Sequence, residues 1–151
     1  MQEIPSDESS PQTLSNLPVD FRTTFPSSEI FGVKLVNGRT TTAQIEIRNR
    51  HTAPITLQVM GGSLTTPIDT PGAPDPPMIV RNLTVQRYGV EIPATGEETL
   101  TYAINTEMHP QELRLNIMAV MQSEERVYTK MVFNETVSVV EAPMSFLDPQ
   151  M

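Results

Sequence analysis

The sequence contains no cysteine and no tryptophan. The missing cysteine excludes a disulfide framework, a thiolate zinc site and a cysteine nucleophile together. It does not fix a compartment, because a domain of this size can be held by an ordinary core in cytosol or lumen. Aromatic residues make up only 5% of the chain, so a core must come mainly from Val, Ile, Leu, Met and Phe. Basic residues are scarce as well: 10 Lys and Arg stand against 18 Asp and Glu, a net charge of −8. Nucleic acid and anionic lipid bind through cationic side chains that release counterions, so this balance argues against both as partners. No apolar run approaches the ~20 residues of a membrane helix; the longest is Ile117–Met121. The opening MQEIPSDESSPQ lacks the basic start and apolar middle of a signal peptide. Either the protein is soluble, or targeting and anchoring segments flank the chain.

What is present reads as β structure in one domain of 151 residues. Residues 1–20 carry no Lys or Arg and are rich in Ser, Pro and acids, so they are expected to form a flexible acidic segment. These acids are not at EF-hand spacing, and a solvated tail is the simpler reading than a calcium site. From Phe21 onward, short apolar runs alternate with Pro, Gly and Asn. Phe21–Phe25 is a first candidate strand. In Thr41–Asn49, Ala43, Ile45 and Ile47 alternate with Gln44, Glu46 and Arg48, as on a half-buried strand. Ile55–Thr65 follows a polar loop, and its Gly61-Gly62 pair predicts a bulge or bend. The prolines of DTPGAPDPP (residues 69–77) remove ladder donors and make it a loop. Ile79–Ile92 reads as one long or interrupted strand. A turn then leads into a strand with Leu100, Tyr102 and Ile104 on one face. Leu113, Leu115, Ile117, Ala119 and Met121 share a face of the next. The last, Val127–Val140, is expected to turn Met131, Phe133, Val137 and Val139 to the core. About seven strands at this spacing predict an all-β, antiparallel, immunoglobulin-like or fibronectin-like sandwich.

Residue patterns that carry chemistry are few. His51 and His109 fall in predicted loops with no neighbouring ligand motif, which reads as two solvated histidines rather than a metal site. Gly96-Glu97-Glu98 and Ser123-Glu124-Glu125-Arg126 read as a turn and a hairpin tip, not as carboxylates paired for acid–base work. Gly61-Gly62 lacks the Lys and Ser or Thr of a phosphate loop. No catalytic, cofactor-binding or metal-ligating residue is expected, and no cofactor. Two sugar-acceptor triplets are different: Asn82-Leu83-Thr84 and Asn134-Glu135-Thr136. Strand parity turns Asn134 and Thr136 to solvent, and the same argument holds loosely around Asn82. On the residues alone they are glycosylation sites, Asn82 and Asn134, or triplets that arose by chance.

Several stretches together resemble one family. FNETVSVVE (Phe133–Glu141) resembles the end of the lumenal domain of the translocon-associated protein alpha subunit. TTFPSSEIF (residues 23–31) resembles that family's opening strand, and IEIRNRHTAPITL (Ile45–Leu57) its strand, Asn-containing turn and next strand. RNLTV (Arg81–Val85) and VEIPATGEETLTYAI (Val90–Ile104) fall in the family's order too, while the proline-rich loop departs from it, marking a divergent member. The resemblance implies a non-catalytic lumenal β-sandwich over residues 21–141, with residues 142–151 a stalk before a membrane helix outside this chain. It further implies a type I membrane glycoprotein of the endoplasmic reticulum with a cleaved signal sequence. Its partners would be the Sec translocon channel, other translocon-associated subunits and nascent secretory chains, whose translocation it would assist. The competing expectation from a different class is a secreted or cell-surface recognition or adhesion module, which would display aromatic side chains for sugar stacking.

Overall fold

A computed structural model describes residues 17–26, 32–68 and 71–142. The expected acidic segment as far as residue 16, residues 27–31 and the expected stalk from residue 143 lie outside the described residues. The described chain forms β1 (Val19–Thr24), β2 (Lys34–Val36), β3 (Thr40–Asn49), β4 (Ile55–Thr65), β5 (Ile79–Asn82), β6 (Gln86–Ile92), β7 (Glu97–Asn105), β8 (Gln111–Ser123) and β9 (Arg126–Val140). They make two sheets, one ordered β1-β3-β7 and one ordered β2-β9-β8-β4-β5, with β6 also on β4. This is the all-β sandwich that the spacing of runs predicts. Its pairings are antiparallel except for β2, which runs parallel to the end of β9.

The strands form because apolar residues recur every second position, and each sheet can bury only one face. On β3, Ala43, Ile45 and Ile47 are buried while Gln44, Glu46 and Arg48 are exposed. On β8, Leu113, Leu115, Ile117, Ala119 and Met121 are buried against them. With Leu57, Leu64 and Ile104 these residues fill the space between the sheets. A fully buried Leu or Ile contributes roughly 1.5–3 kcal/mol, so this layer supplies most of the drive to fold. Leu17 and Val19 are already buried. The packed domain therefore starts before Phe21, because two apolar residues within the acidic stretch find seats on the core.

Three further expectations are corrected. Met131 does not face the core: it is 43% exposed, and Phe133 is only half-buried, whereas Val137 and Val139 are buried as expected. Ile117 pairs with Phe133 but Met118 pairs with Met131, so Val132 is an extra residue. A bulge of this kind reverses the parity of everything on one side of it. Thr23 Oγ1 donates to the bulge carbonyl of Val132 at 2.8 Å, and Phe133 meets Phe25 edge-on with centroids 5.0 Å apart. The Gly61-Gly62 pair is not the bulge either; the register shifts on β4 fall between Leu57 and Val59 and between Leu64 and Thr65. The glycines mark the point where β4 exchanges β6 for β5 as its neighbour. There Leu83 N donates to Gly62 O at 2.9 Å. A Cβ on Gly62 would lie 2.3 Å from the carbonyl oxygen of Asn116. Finally, nine strands stand among the described residues where about seven are expected. Ile79–Ile92 is interrupted at residues 83–85, and β2 is too short to show a period.

Candidate functional site

The two acceptor asparagines lie in different parts of the sequence but in one line of the fold. Asn82 pairs with Ser63, Ser63 with Asn116, and Asn116 with Asn134. Directly paired residues point to the same face of a sheet. Asn82, Ser63, Asn116 and Asn134 therefore form a single polar row across β5, β4, β8 and β9, on the face turned away from the core. Asn82 and Asn134 are both exposed. Strands lie about 4.8 Å apart, so three steps separate the two by about 14 Å.

Polar contacts hold this row. Arg114 Nε donates to Asn134 Oδ1 at 2.7 Å, and Arg114 Nη2 to the Asn134 carbonyl at 3.2 Å. The bond engages the amide oxygen and leaves Nδ2, the atom that takes a sugar, outside it. Asn116 Nδ2 donates to Thr65 Oγ1 at 3.4 Å. At the other acceptor, Tyr102, fully buried in the core, donates its hydroxyl to the carbonyl of Thr84 at 2.7 Å. Burial, and next the neighbouring Tyr88, push the Tyr102 phenol up to about 12, and burial also raises Tyr88. Both therefore stay neutral donors at any physiological pH. Arg114, Ser63, Asn116 and Tyr102 were not legible as parts of this site, because their roles depend on register and not on periodicity.

The other candidates separate in space. His109 is exposed. His51 is half-buried and sits 3.3 Å from Glu124 Oε1 at the β8–β9 turn, an approach that nothing in the sequence indicates. Among the described residues no three His, Asp or Glu side chains gather as a metal-ligand group. Glu124 and Glu125 occupy the two tip positions of a hairpin with φ of 53° and 68°, as the expected tip requires. Glu97 is bound to Arg48 at 2.9 Å on the outer face of the three-stranded sheet, where Arg50–Asp20 at 2.8 Å and Arg22–Glu46 at 3.9 Å lie nearby. Carboxylates matched one by one to guanidiniums on an exposed face are solvated ion pairs, not an acid–base couple in an apolar cleft. At one end of the sandwich buried Asn49 organises the loops. Its Nδ2 lies 3.0–3.2 Å from the carbonyls of Ala53, Ile92 and Pro93, and its Oδ1 accepts from His51 N at 2.8 Å.

Among solved structures the chain is similar to structural genomics target SoR45, with 13% identity, TM-score 0.47, and coverage of 82% of this chain and 87% of that one. It is also similar to PapD-like domain 7 of human CEP192, with 13% identity, TM-score 0.45, and coverage of 83% and 87%. A β-glucosidase from Listeria innocua shows 15% identity and TM-score 0.45, with 83% of this chain covering 16% of that one. No curated protein sequence matches the chain. The family described as translocon-associated protein (TRAP), alpha subunit, matches over residues 24–151, nearly all of the sandwich described above. The chain belongs to the alpha-subunit family of translocon-associated proteins, non-enzymatic subunits of the endoplasmic reticulum membrane.

Proposed function

We propose that this chain is the lumenal, non-catalytic recognition domain of a translocon-associated complex. It binds near the Sec channel and assists secretory precursors as they enter the endoplasmic reticulum. Its acidic segment leads into the sandwich, whose core begins at Leu17 and Val19, and residues 142–151 lead as a stalk toward a membrane helix in the longer protein. Asn82 and Asn134 carry N-linked glycans. The family match over residues 24–151 carries this reading. The shared outward row of both acceptors supports the lumenal side, since a sugar attached to either would stand clear of the core. A sandwich acts here through shape and contact: its loops and sheet edges meet channel loops, partner subunits or the emerging chain, an edge being able to accept an extended strand. The experiment is site-specific crosslinking from the sandwich in microsomes. Recovery of Sec channel subunits is expected; labelling of extracellular ligands alone would overturn the reading.

A further inference from the structure

Directly beside the polar row lies an apolar one. Gly61 pairs with Met118, and Met118 with Met131. Val85 closes the row, its Cγ2 3.1 Å from where a Cβ on Gly61 would stand. Val85, Met118 and Met131 are 62%, 37% and 43% exposed. Rows on one face of a sheet are spaced by two residues, about 7 Å. This belt therefore runs alongside the acceptor row, within reach of the first sugar on Asn134. An apolar belt left open to water asks for a cover.

The hydrogen bond from Arg114 sets the direction of that sugar. Arg114 belongs to the row on the far side of Asn134, where it pairs with Thr136. It draws Oδ1 toward itself. The other branch of the carboxamide, Nδ2, is left outside that bond, and the row on the opposite side of Asn134 from Arg114 is that of Met131 and Met118. N-acetylglucosamine has one face of C–H groups, and methionine is a soft, adaptable partner for such a surface. The geometry points to the Asn134 glycan as the occupant of the belt: its first sugar folds back and covers Met118 and Met131. Arg114 is then a positioning residue for the sugar. The inference rests on the proposed occupancy of Asn134.

Methionine oxidation reads the cover, because susceptibility follows exposure. The chain is produced in a eukaryotic secretory host, its occupancy at Asn134 is measured by peptide mass, and the folded protein is exposed to dilute peroxide. Met78, 59% exposed and off the belt, is the internal reference, and buried Met60 the slow limit. Met118 and Met131 are expected to oxidise more slowly than Met78 by about threefold or more. That protection should persist when an endoglycosidase trims the glycan to one sugar. It should vanish in Thr136→Ala, which removes the triplet but keeps Asn134 and Arg114, and in Asn134→Gln. Occupied Asn134 with unprotected methionines overturns the inference alone. An unoccupied Asn134 overturns it together with the occupancy reading, and the mass distinguishes the two. Protection lost on trimming overturns it in favour of shielding by the outer sugars. Protection in Thr136→Ala that grows with protein concentration overturns it in favour of a second copy on the belt.

Discussion

Arg114 Nε stands 2.7 Å from Oδ1 of Asn134, joining neighbouring strands diagonally across their register. The pair is solvent-facing, so it orients more than it stabilises. Arg114→Ala is expected to lower the unfolding free energy by less than about 1 kcal/mol, measured by urea denaturation of the unglycosylated domain. A larger loss would show that Arg114 supports the core instead.

Asn49 is the opposite case. It is fully buried and its amide serves three carbonyls from two loops. Asn49→Ala removes the side-chain donor from the Ala53 and Ile92 carbonyls and the acceptor from the His51 amide, while the Pro93 carbonyl keeps the Gly96 amide. A loss of about 2–4 kcal/mol is expected, read as a lower urea midpoint at unchanged slope.

The adjacent glycines of β4 should respond unequally to one added methyl. At Gly62 the new Cβ would meet the Asn116 carbonyl at 2.3 Å, and neither backbone can yield without breaking the β4–β8 ladder. Gly62→Ala is expected to destabilise by about 1–3 kcal/mol. Gly61→Ala comes close to the exposed Val85 Cγ2 alone, at 3.1 Å, which can rotate, and meets Val85 Cα and Cβ at an ordinary 3.8 Å. Its effect should stay within about 0.5 kcal/mol. Equal melting shifts for the two variants would contradict this account.

Tyr102 makes stability depend on alkaline pH. Its folded value is pushed up to about 12 by burial and by Tyr88, against about 10 in an unfolded chain. The fold favours the protonated phenol, so this contribution is complete below about pH 10 and is lost as pH rises toward 12. Ultraviolet titration should show a phenolate that forms only toward pH 12, absent in Tyr102→Phe. Three phenols titrating together near the ordinary value would refute the burial argument.

The two central strands, β3 and β8, were legible because each has neighbours on both sides and core on one face only, so their alternation is unbroken. The last strand was legible in extent but not in parity. The Val132 bulge follows from how β9 meets β8 and β1, and no residue within MVFNE announces it. The double glycine was visible as a special place, yet its reason, the crossing from β6 to β5, lies in other strands. His51 and Glu124 meet only because two loops converge at one end of the sandwich.

The sequence by itself determined that this chain builds an acidic, cysteine-free β-sandwich carrying two acceptor triplets. The period of two is a local property of the backbone, and so are the triplets. Only the tertiary structure decided that Asn82 and Asn134 share one row, that Arg114 grips the second, and that an apolar belt runs beside them. Those relations depend on register between strands distant in sequence. Register is chosen by the packing of the whole core, because a slip of one residue would turn every buried side chain of a strand out to water.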